Sequence, residues 1–401
     1  MAKIKPFKAI IYNPGKVKNT ASVVCPPYDI ISPEAQQYYH DLSPNNLIHI
    51  LLGKDIPGED KYRRAGKLFG DWLKDKILIQ EDEPAVYFYI QEYNLKGEKK
   101  TRLGFISLLH LADKQSGIFG HEHTRLEPKE DRSRLLKEVK ANLSPIFVVF
   151  MDTKRIIQRI YQQYVRDVEP FIEITDNEKT IHRLWRLNSP EILDKIEFGM
   201  LDEKIFIADG HHRYEVACAY RDQMSEQLGG ALTGEEGLNY ILSYFTNTDP
   251  RGLVILPIHR LAKLGSEPDL ELLLANLAEY FDAEEIKDKA RFFFLMEKGG
   301  RSEHVLGMYK DKRCWLLRLK NVGILDREMR DKPKVYRSLD VAILNAIILK
   351  KILGLDLENK EAVKFGPDAF EFIREVDTDP LCIAFFLNPV KIQDIISVSL
   401  N

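Results

Sequence analysis

The stretch Lys204-Ile205-Phe206-Ile207-Ala208-Asp209-Gly210-His211-His212-Arg213 decides the reading of this chain. Its first half, Lys204 to Ala208, is short, apolar and β-branched, as a buried strand should be. Asp209-Gly210 then breaks the run. From Tyr214 to Glu226 the sequence predicts a helix, with Val216, Ala217, Ala219 and Tyr220 able to pack inward. A helix that starts here carries unpaired backbone N–H groups and about half a positive charge at its N-terminus. Gly210 permits a tight turn and close approach of a ligand. Arg213 offers a planar fork of donors suited to phosphate. His211 and His212 add donors that can change charge near neutral pH. Together these residues form an anion-binding turn of the kind that holds phosphate. Asp209 is unsuited to touch an anion, but it suits a magnesium ion or a proton in flight.

Working outward, the elements on either side predict a mixed α and β architecture. Ser32-Pro33-Glu34 opens a helix, with Ser32 at the N-cap and Pro33 at the first helical position. Glu59 to Lys76 is a second helix. Ala85–Ile90 and Arg102–Leu111 are strands joined through a turn at Asn94–Lys99. Residues 129–141 are helical, Ile146–Phe150 is a buried strand, and a helix follows to about Val168. Residues 171–175 and 180–187 pair as strands, and Glu191 to Met200 is a helix. Ser22–Asp29, Tyr240–Asn247 and Leu253–Pro257 read as further strands. Beyond about residue 260 the pattern changes to a helix over Leu270–Tyr280, a hairpin over 304–309 and 313–320, and an apolar helix over 339–353. The fold class is α+β: a mixed sheet carrying the Asp209–Arg213 turn, then a smaller C-terminal α/β unit. The domains expected are residues 1–260 and 261–401.

Three further constellations hold chemistry-bearing side chains. Gly120-His121-Glu122-His123-Thr124, followed by Pro128-Lys129-Glu130-Asp131-Arg132, gathers groups that bind metals, move protons or clamp phosphate. Arg125 stands where a helical zinc-protease motif needs its second histidine, so that reading is unsupported. Pro26-Pro27-Tyr28-Asp29 stiffens the backbone ahead of Asp29 and suits a pre-positioned carboxylate, while a turn with Asp29 as a local cap stays equally open. Asn142-Leu143-Ser144-Pro145 and Leu256-Pro257-Ile258-His259-Arg260 read as structural. The phosphate loop, the Rossmann glycine fingerprint, the Gly-x-Ser-x-Gly elbow and the kinase signature set are all absent from the sequence.

The chain has 401 residues, enough for two or three domains. With 44% hydrophobic and 30% charged residues it can bury a sizeable core. Its net charge of -3 provides no basic field, so nucleic acid is not expected as a partner. Cys25, Cys218, Cys314 and Cys382 are widely spaced, without zinc-ligand pairs, which suits reduced thiols. Neither a signal core nor a membrane-length apolar run occurs, so the sequence predicts a soluble, cytoplasmic protein.

Several strings occur in the order that marks a known family: Val24-Cys25-Pro26-Pro27-Tyr28-Asp29-Ile30-Ile31-Ser32, His121-Glu122-His123-Thr124, Asn142-Leu143-Ser144-Pro145-Ile146 and Ala208-Asp209-Gly210-His211-His212-Arg213-Tyr214-Glu215. The chain resembles the prokaryotic domain-of-unknown-function family 1015 over nearly its whole length. More distantly, the Asp209–Arg213 turn is similar to the phosphate-binding turn of the ParB/sulfiredoxin superfamily. That superfamily includes a chromosome-partition protein, sulfiredoxin and a free-serine kinase. The likeness implies a ParB/sulfiredoxin-like mixed sheet in residues 1–260, with Gly210, His211, His212 and Arg213 on nucleotide phosphates. Asp209 matches the acidic residue ahead of the glycine in the free-serine kinase pattern. Sulfiredoxin chemistry needs a cysteine where His211 stands, and no basic recognition helix for DNA is evident, so the kinase branch fits best.

The function expected is a nucleotide-dependent phosphotransferase acting on a small hydroxylated metabolite, free serine being the leading acceptor. The nucleotide is ATP or ADP, with Mg2+ on Asp209 and Glu122. The catalytic candidates are Asp29, Glu122, Asp209 and His211. His121, His123 and Arg132 join Gly210, His211, His212 and Arg213 around the cofactor. Two other readings stay open: a non-catalytic nucleotide-sensing module, and a metal-dependent hydrolase built from His121, His123, His211 and Asp209. A homodimer stays open too, and no membrane partner is expected.

Overall fold

A computed structural model describes residues 3–95, 97–111, 118–119, 126–230, 232–249, 251–357, 359 and 361–399. The chain divides into two compact units, Met1–Leu253 and Val254–Asn401.

The strands of the first unit are β1 (Ile4–Lys5), β2 (Ile10–Tyr12), β3 (Leu78–Gln80), β4 (Val86–Leu95), β5 (Glu98–His110) and β6 (Ile118–Phe119). They continue with β7 (Ile146–Phe150), β8 (Ile172–Thr175), β9 (Ile181–Leu187), β10 (Ile205–Asp209) and β11 (Tyr240–Asn247). Its helices are α1 (Pro33–Leu42), α2 (Ile48–Leu51), α3 (Lys61–Lys74), α4 (Leu126–Val139), α5 (Ile156–Ile160), α6 (Pro190–Met200) and α7 (His211–Gln227). One mixed sheet dominates, in the order β6-β10-β7-β11-β5-β4-β9-β8, with β1 added to the end of β5. The pairs β6–β10 and β7–β11 are parallel and the others antiparallel. This mixture is the α+β class that the sequence predicts.

The period of two along the strands sorts the core. Val86, Phe88 and Ile90 of β4, Phe105 of β5, Ile241 and Phe245 of β11, and Ile205 and Ile207 of β10 share one buried cluster with Ile157 of α5 and Ile196 of α6. Phe105 and Phe245 stack at its centre, 4.9 Å between ring centroids. A second cluster joins α3 to α4 through Tyr62, Ala65, Trp72, Leu135 and Val139. The two helices approach closely at Gly66, where an added Cβ would stand 2.7 Å from the Glu138 carbonyl oxygen. Helix α4 also packs along α7 and so reaches the Asp209–Arg213 turn.

The second unit is built on an antiparallel six-stranded sheet. Its strands are β12 (His259–Lys263), β13 (Phe281–Ile286), β14 (Val305–Lys310), β15 (Arg313–Leu319), β16 (Val363–Gly366) and β17 (Cys382–Phe386), in the order β13-β15-β14-β17-β12-β16. Two apolar clusters bury its residues. One centres on Leu306, Leu317, Ile347 and Phe385, the other on Phe292, Tyr309, Phe372 and Phe386.

Two expected strands are absent, each for a visible reason. Ser22–Asp29 forms no ladder: short 3-10 turns occupy Thr20–Ser22 and Tyr28–Ile30. Pro26 and Pro27 have no N–H to donate. The buried Asn46 replaces the missing strand partner, donating from Nδ2 to the Ser22 and Val24 carbonyls at 2.9 and 3.0 Å while its Oδ1 accepts from Ile48 N–H. Leu253–Pro257 is irregular, and the strand begins instead at His259. Pro257 cannot donate to a ladder, and Leu256 and Ile258 on either side of it stay exposed.

The Asn46 side chain is fully buried. Replacing Asn46 by Ala strands two carbonyls and one amide, so Asn46→Ala is expected to cost about 3 kcal/mol of unfolding free energy in urea denaturation. An unchanged midpoint would show that the 22–24 segment holds without this amide.

Candidate functional site

Strand β10 ends in a register shift between Ile207 and Asp209 against β7, which sets Asp209 opposite Phe147. Such a shift re-aims the side chain that follows it. Gly210 then turns the chain with φ +90° and ψ 26° as the N-cap of α7. An added Cβ at Gly210 would lie 2.8 Å from Ile146 Cγ2 and 3.1 Å from the Arg213 guanidinium. Glycine is therefore required both by backbone and by space. The helix begins three residues earlier than its apolar pattern suggests. Tyr214 N–H closes the first helical bond, 3.0 Å onto the Gly210 carbonyl, and the His211, His212 and Arg213 amides precede it. His211 is buried, and His212 is half-buried.

Arg213 reaches back across its own turn. Nη2 donates to Asp209 Oδ2 and Nη1 donates to the Pro145 carbonyl, tying α7 to the end of β10 and to the loop before β7. Its Nε is buried without a hydrogen-bond partner among the described residues. Asp209 is 50% exposed while Arg213 is only 11% exposed, so the pair spans the surface.

Arg132 comes from the opposite side, on α4. It is 7% exposed. Nε and Nη2 donate to Asp131 Oδ2, and Nη1 donates to the Leu51 carbonyl at 3.0 Å. Tyr62 donates to the other oxygen of Asp131 at 2.7 Å. Burial alone would raise the Asp131 carboxyl, but the Arg132 charge and these hydrogen bonds outweigh it and hold the group below its ordinary value. The Tyr62 phenol is pushed up to about 12, first by burial and then by its bond to Asp131.

Between the two arginines lies a cavity of about 60 Å³. Among the described residues its polar lining consists of Tyr28, Arg132, Asn142, Ser144 and Arg213, on a floor that includes Leu51, Leu135, Leu143, Val216 and Ala217. The guanidinium of Arg132 sits 4.0 Å over the Tyr28 ring. The Tyr28 phenol is raised, first by burial and next by Asp29. Arg132 and Arg213 pull it down and Asp209 pushes it up, so all four charges reach this one side chain. Tyr28, Asn142–Ser144, Arg132 and Arg213 come from four sequence motifs and meet here.

The other expected residues stand as follows. Asp29 is exposed in the 3-10 turn and lies outside the cavity lining. His121, Glu122 and His123 lie outside the described residues. β6 runs parallel to β10, so Phe119 sits at the end of the sheet that β10 reaches at Asp209. The chain is described again from Leu126, and Lys129 on α4 pairs with Glu215 on α7. Among the described residues, no group of three or more histidine, cysteine and carboxylate side chains is arranged to hold a metal. Also among them, no helix is long and apolar enough to cross a membrane. Tyr28, Asn142 and Ser144 are the site residues that the sequence undervalued. Their signal was present in the Pro-Pro-Tyr-Asp and Asn-Leu-Ser-Pro strings, but it read as turn chemistry.

The family described as "Protein of unknown function (DUF1015)" matches residues 4–342, and the chain belongs to it. No curated protein matches in sequence. Two solved structures of free serine kinase variants are similar to this chain. The one in complex with AMP has a TM-score of 0.32 at 9% identity, and the one in complex with ADP has 0.33 at 10%. Each comparison covers 74% of this chain and 82% of the other. At these TM-scores the likeness decides neither fold nor ligand.

Gly210→Ala is expected to lower stability by about 3 kcal/mol, combining left-handed strain with the clash at Ile146. Chemical denaturation measures this. A loss below about 1 kcal/mol would mean that the turn relaxes freely.

Proposed function

We propose that this protein is a nucleotide-dependent phosphotransferase whose acceptor is a small hydroxylated metabolite, free serine being the leading choice. The observation that carries the reading is the first turn of α7, opened by Gly210 at φ +90° with the Arg213 guanidinium clamped to Asp209 beside it. A helix N-terminus and a guanidinium fork favour anions together. The likeness of the Asp209–Arg213 turn to the free-serine kinase pattern supports the choice of acceptor. The assignment of residues 1–260 to a ParB/sulfiredoxin-like domain belongs to the same proposal.

The residues fit a phosphate group. The amides of His211, His212 and Arg213 would face it, with the half-buried His212 and the Arg213 Nε–H beside them. ATP or ADP, when bound, supplies the phosphoryl group to be transferred. Asp209 uses Oδ2 on Arg213, and its Oδ1 together with Glu122 would hold Mg2+. In the transfer, the acceptor hydroxyl oxygen forms a bond to phosphorus as the bond to the departing nucleotide oxygen breaks. The hydroxyl proton passes to a carboxylate, for which Asp29 and Glu122 are the candidates. The exposure of Asp29 favours a second reading, a nucleotide sensor that fills the same turn without transferring phosphate.

Calorimetry with ATP and ADP plus magnesium tests the site. The wild-type protein is expected to bind, and Arg213→Ala to bind at least about tenfold more weakly, near 1.4 kcal/mol, with circular dichroism confirming that the variant is folded. Failure of every nucleotide to bind would sink both the kinase and the sensor readings. Phosphoserine formation from ATP and serine separates the two.

A further inference from the structure

We propose that the cavity between α4, the Asn142–Pro145 loop and α7 seats the carboxylate of the acceptor, which makes the substrate class small hydroxy acids and hydroxy amino acids. This rests on the phosphotransferase reading and names what it leaves open.

Size is the first argument. A cavity of about 60 Å³ holds roughly four waters. It takes a compact head group. Charge is the second. Arg132 is backed by Asp131 and Arg213 by Asp209, so the four groups sum to zero. Each aspartate fixes its arginine from one side and compensates its charge. A monoanion can then be taken by hydrogen bonds, whereas the several charges of a nucleotide phosphate chain would lack compensation there. The helix end at His211–Arg213 remains for the phosphates.

Donor geometry is the third argument. Arg132 has five N–H groups, and three are assigned to Asp131 and Leu51, leaving one on Nη1 and one on Nη2 among the described residues. Two N–H groups on one planar guanidinium match the two oxygens of a carboxylate. Tyr28, Asn142 and Ser144 add a phenol, an amide and a hydroxyl. With no carboxylate among the described lining residues, the cavity receives the acid end of an amino acid, and the ammonium stays outside. The stack on Tyr28 and the bond to Leu51 hold the Arg132 plane in place.

The test is calorimetry on the full chain with ADP and magnesium present. Four probes are titrated: L-serine, glycerate, ethanolamine and glycerol. L-serine and glycerate are expected to bind, with ethanolamine and glycerol at least tenfold weaker. Arg132→Gln should weaken L-serine at least tenfold and leave ADP affinity within twofold. If Arg132→Gln fails to fold, Tyr28→Phe, which keeps the ring on Arg132, should weaken L-serine severalfold with ADP unaffected. Three outcomes overturn the assignment while ADP still binds: ethanolamine matching L-serine, neither acid binding, or a variant losing ADP and L-serine alike. If ADP fails to bind the wild-type protein, the phosphotransferase reading itself falls and this inference falls with it.

Discussion

Arg213 bonds backward to the Asp209 carboxylate and sideways to the Pro145 carbonyl, and the geometry of the site follows from that clamp. The bonds join the end of β10, the start of α7 and the loop entering β7. They also dictate glycine at 210, because a side chain there would run into the guanidinium and Ile146. Most helices cap their first turn with the side chain of a serine, threonine or aspartate. This one starts at a glycine, and the acidic residue just before it is engaged by arginine instead. The first-turn amides therefore lie beside a partly compensated cation, an environment that favours a bound anion over a protein cap.

The second arginine repeats the arrangement from another direction. Arg132 is held by Asp131, and Asp131 by Tyr62, so a chain of hydrogen bonds runs from α3 through α4 to the cavity. A buried guanidinium without such a partner would be costly. The aspartates thus make it possible to bring two arginines to one cavity, and they leave it electrically balanced. Tyr28 completes the wall because Pro26 and Pro27 keep its segment out of the sheet and Asn46 anchors the backbone just upstream. A residue far from the chemistry, in a loop between α1 and α2, thereby helps to place an aromatic ring at the site.

Much of the local structure was legible. Strand β10, the Ser32–Pro33 start of α1, the hairpin of β4 and β5 and the β8–β9 pair all follow from periodicity and turn residues, which act over short distances. The turn at Asp209–Gly210 between strand and helix was legible for the same reason. What the pattern missed depends on distant partners. Ser22–Val24 has strand-like side chains, but whether it joins a sheet is decided by Asn46 and by the two prolines that follow it. Arg213 read as a free fork, because its bond to Pro145 spans 68 residues of sequence. Asn142–Pro145 read as structural since its role appears only once α4 and α7 stand on either side of the cavity.

The most direct test of the central claim is an amide chemical-shift titration of the full chain with ATP and magnesium, beside adenosine as a control. If the first turn of α7 holds phosphate, the His211, His212 and Arg213 amides shift with ATP and stay in place with adenosine. Equal shifts with adenosine, or ATP-induced shifts confined to residues away from Gly210–Tyr214, would contradict it.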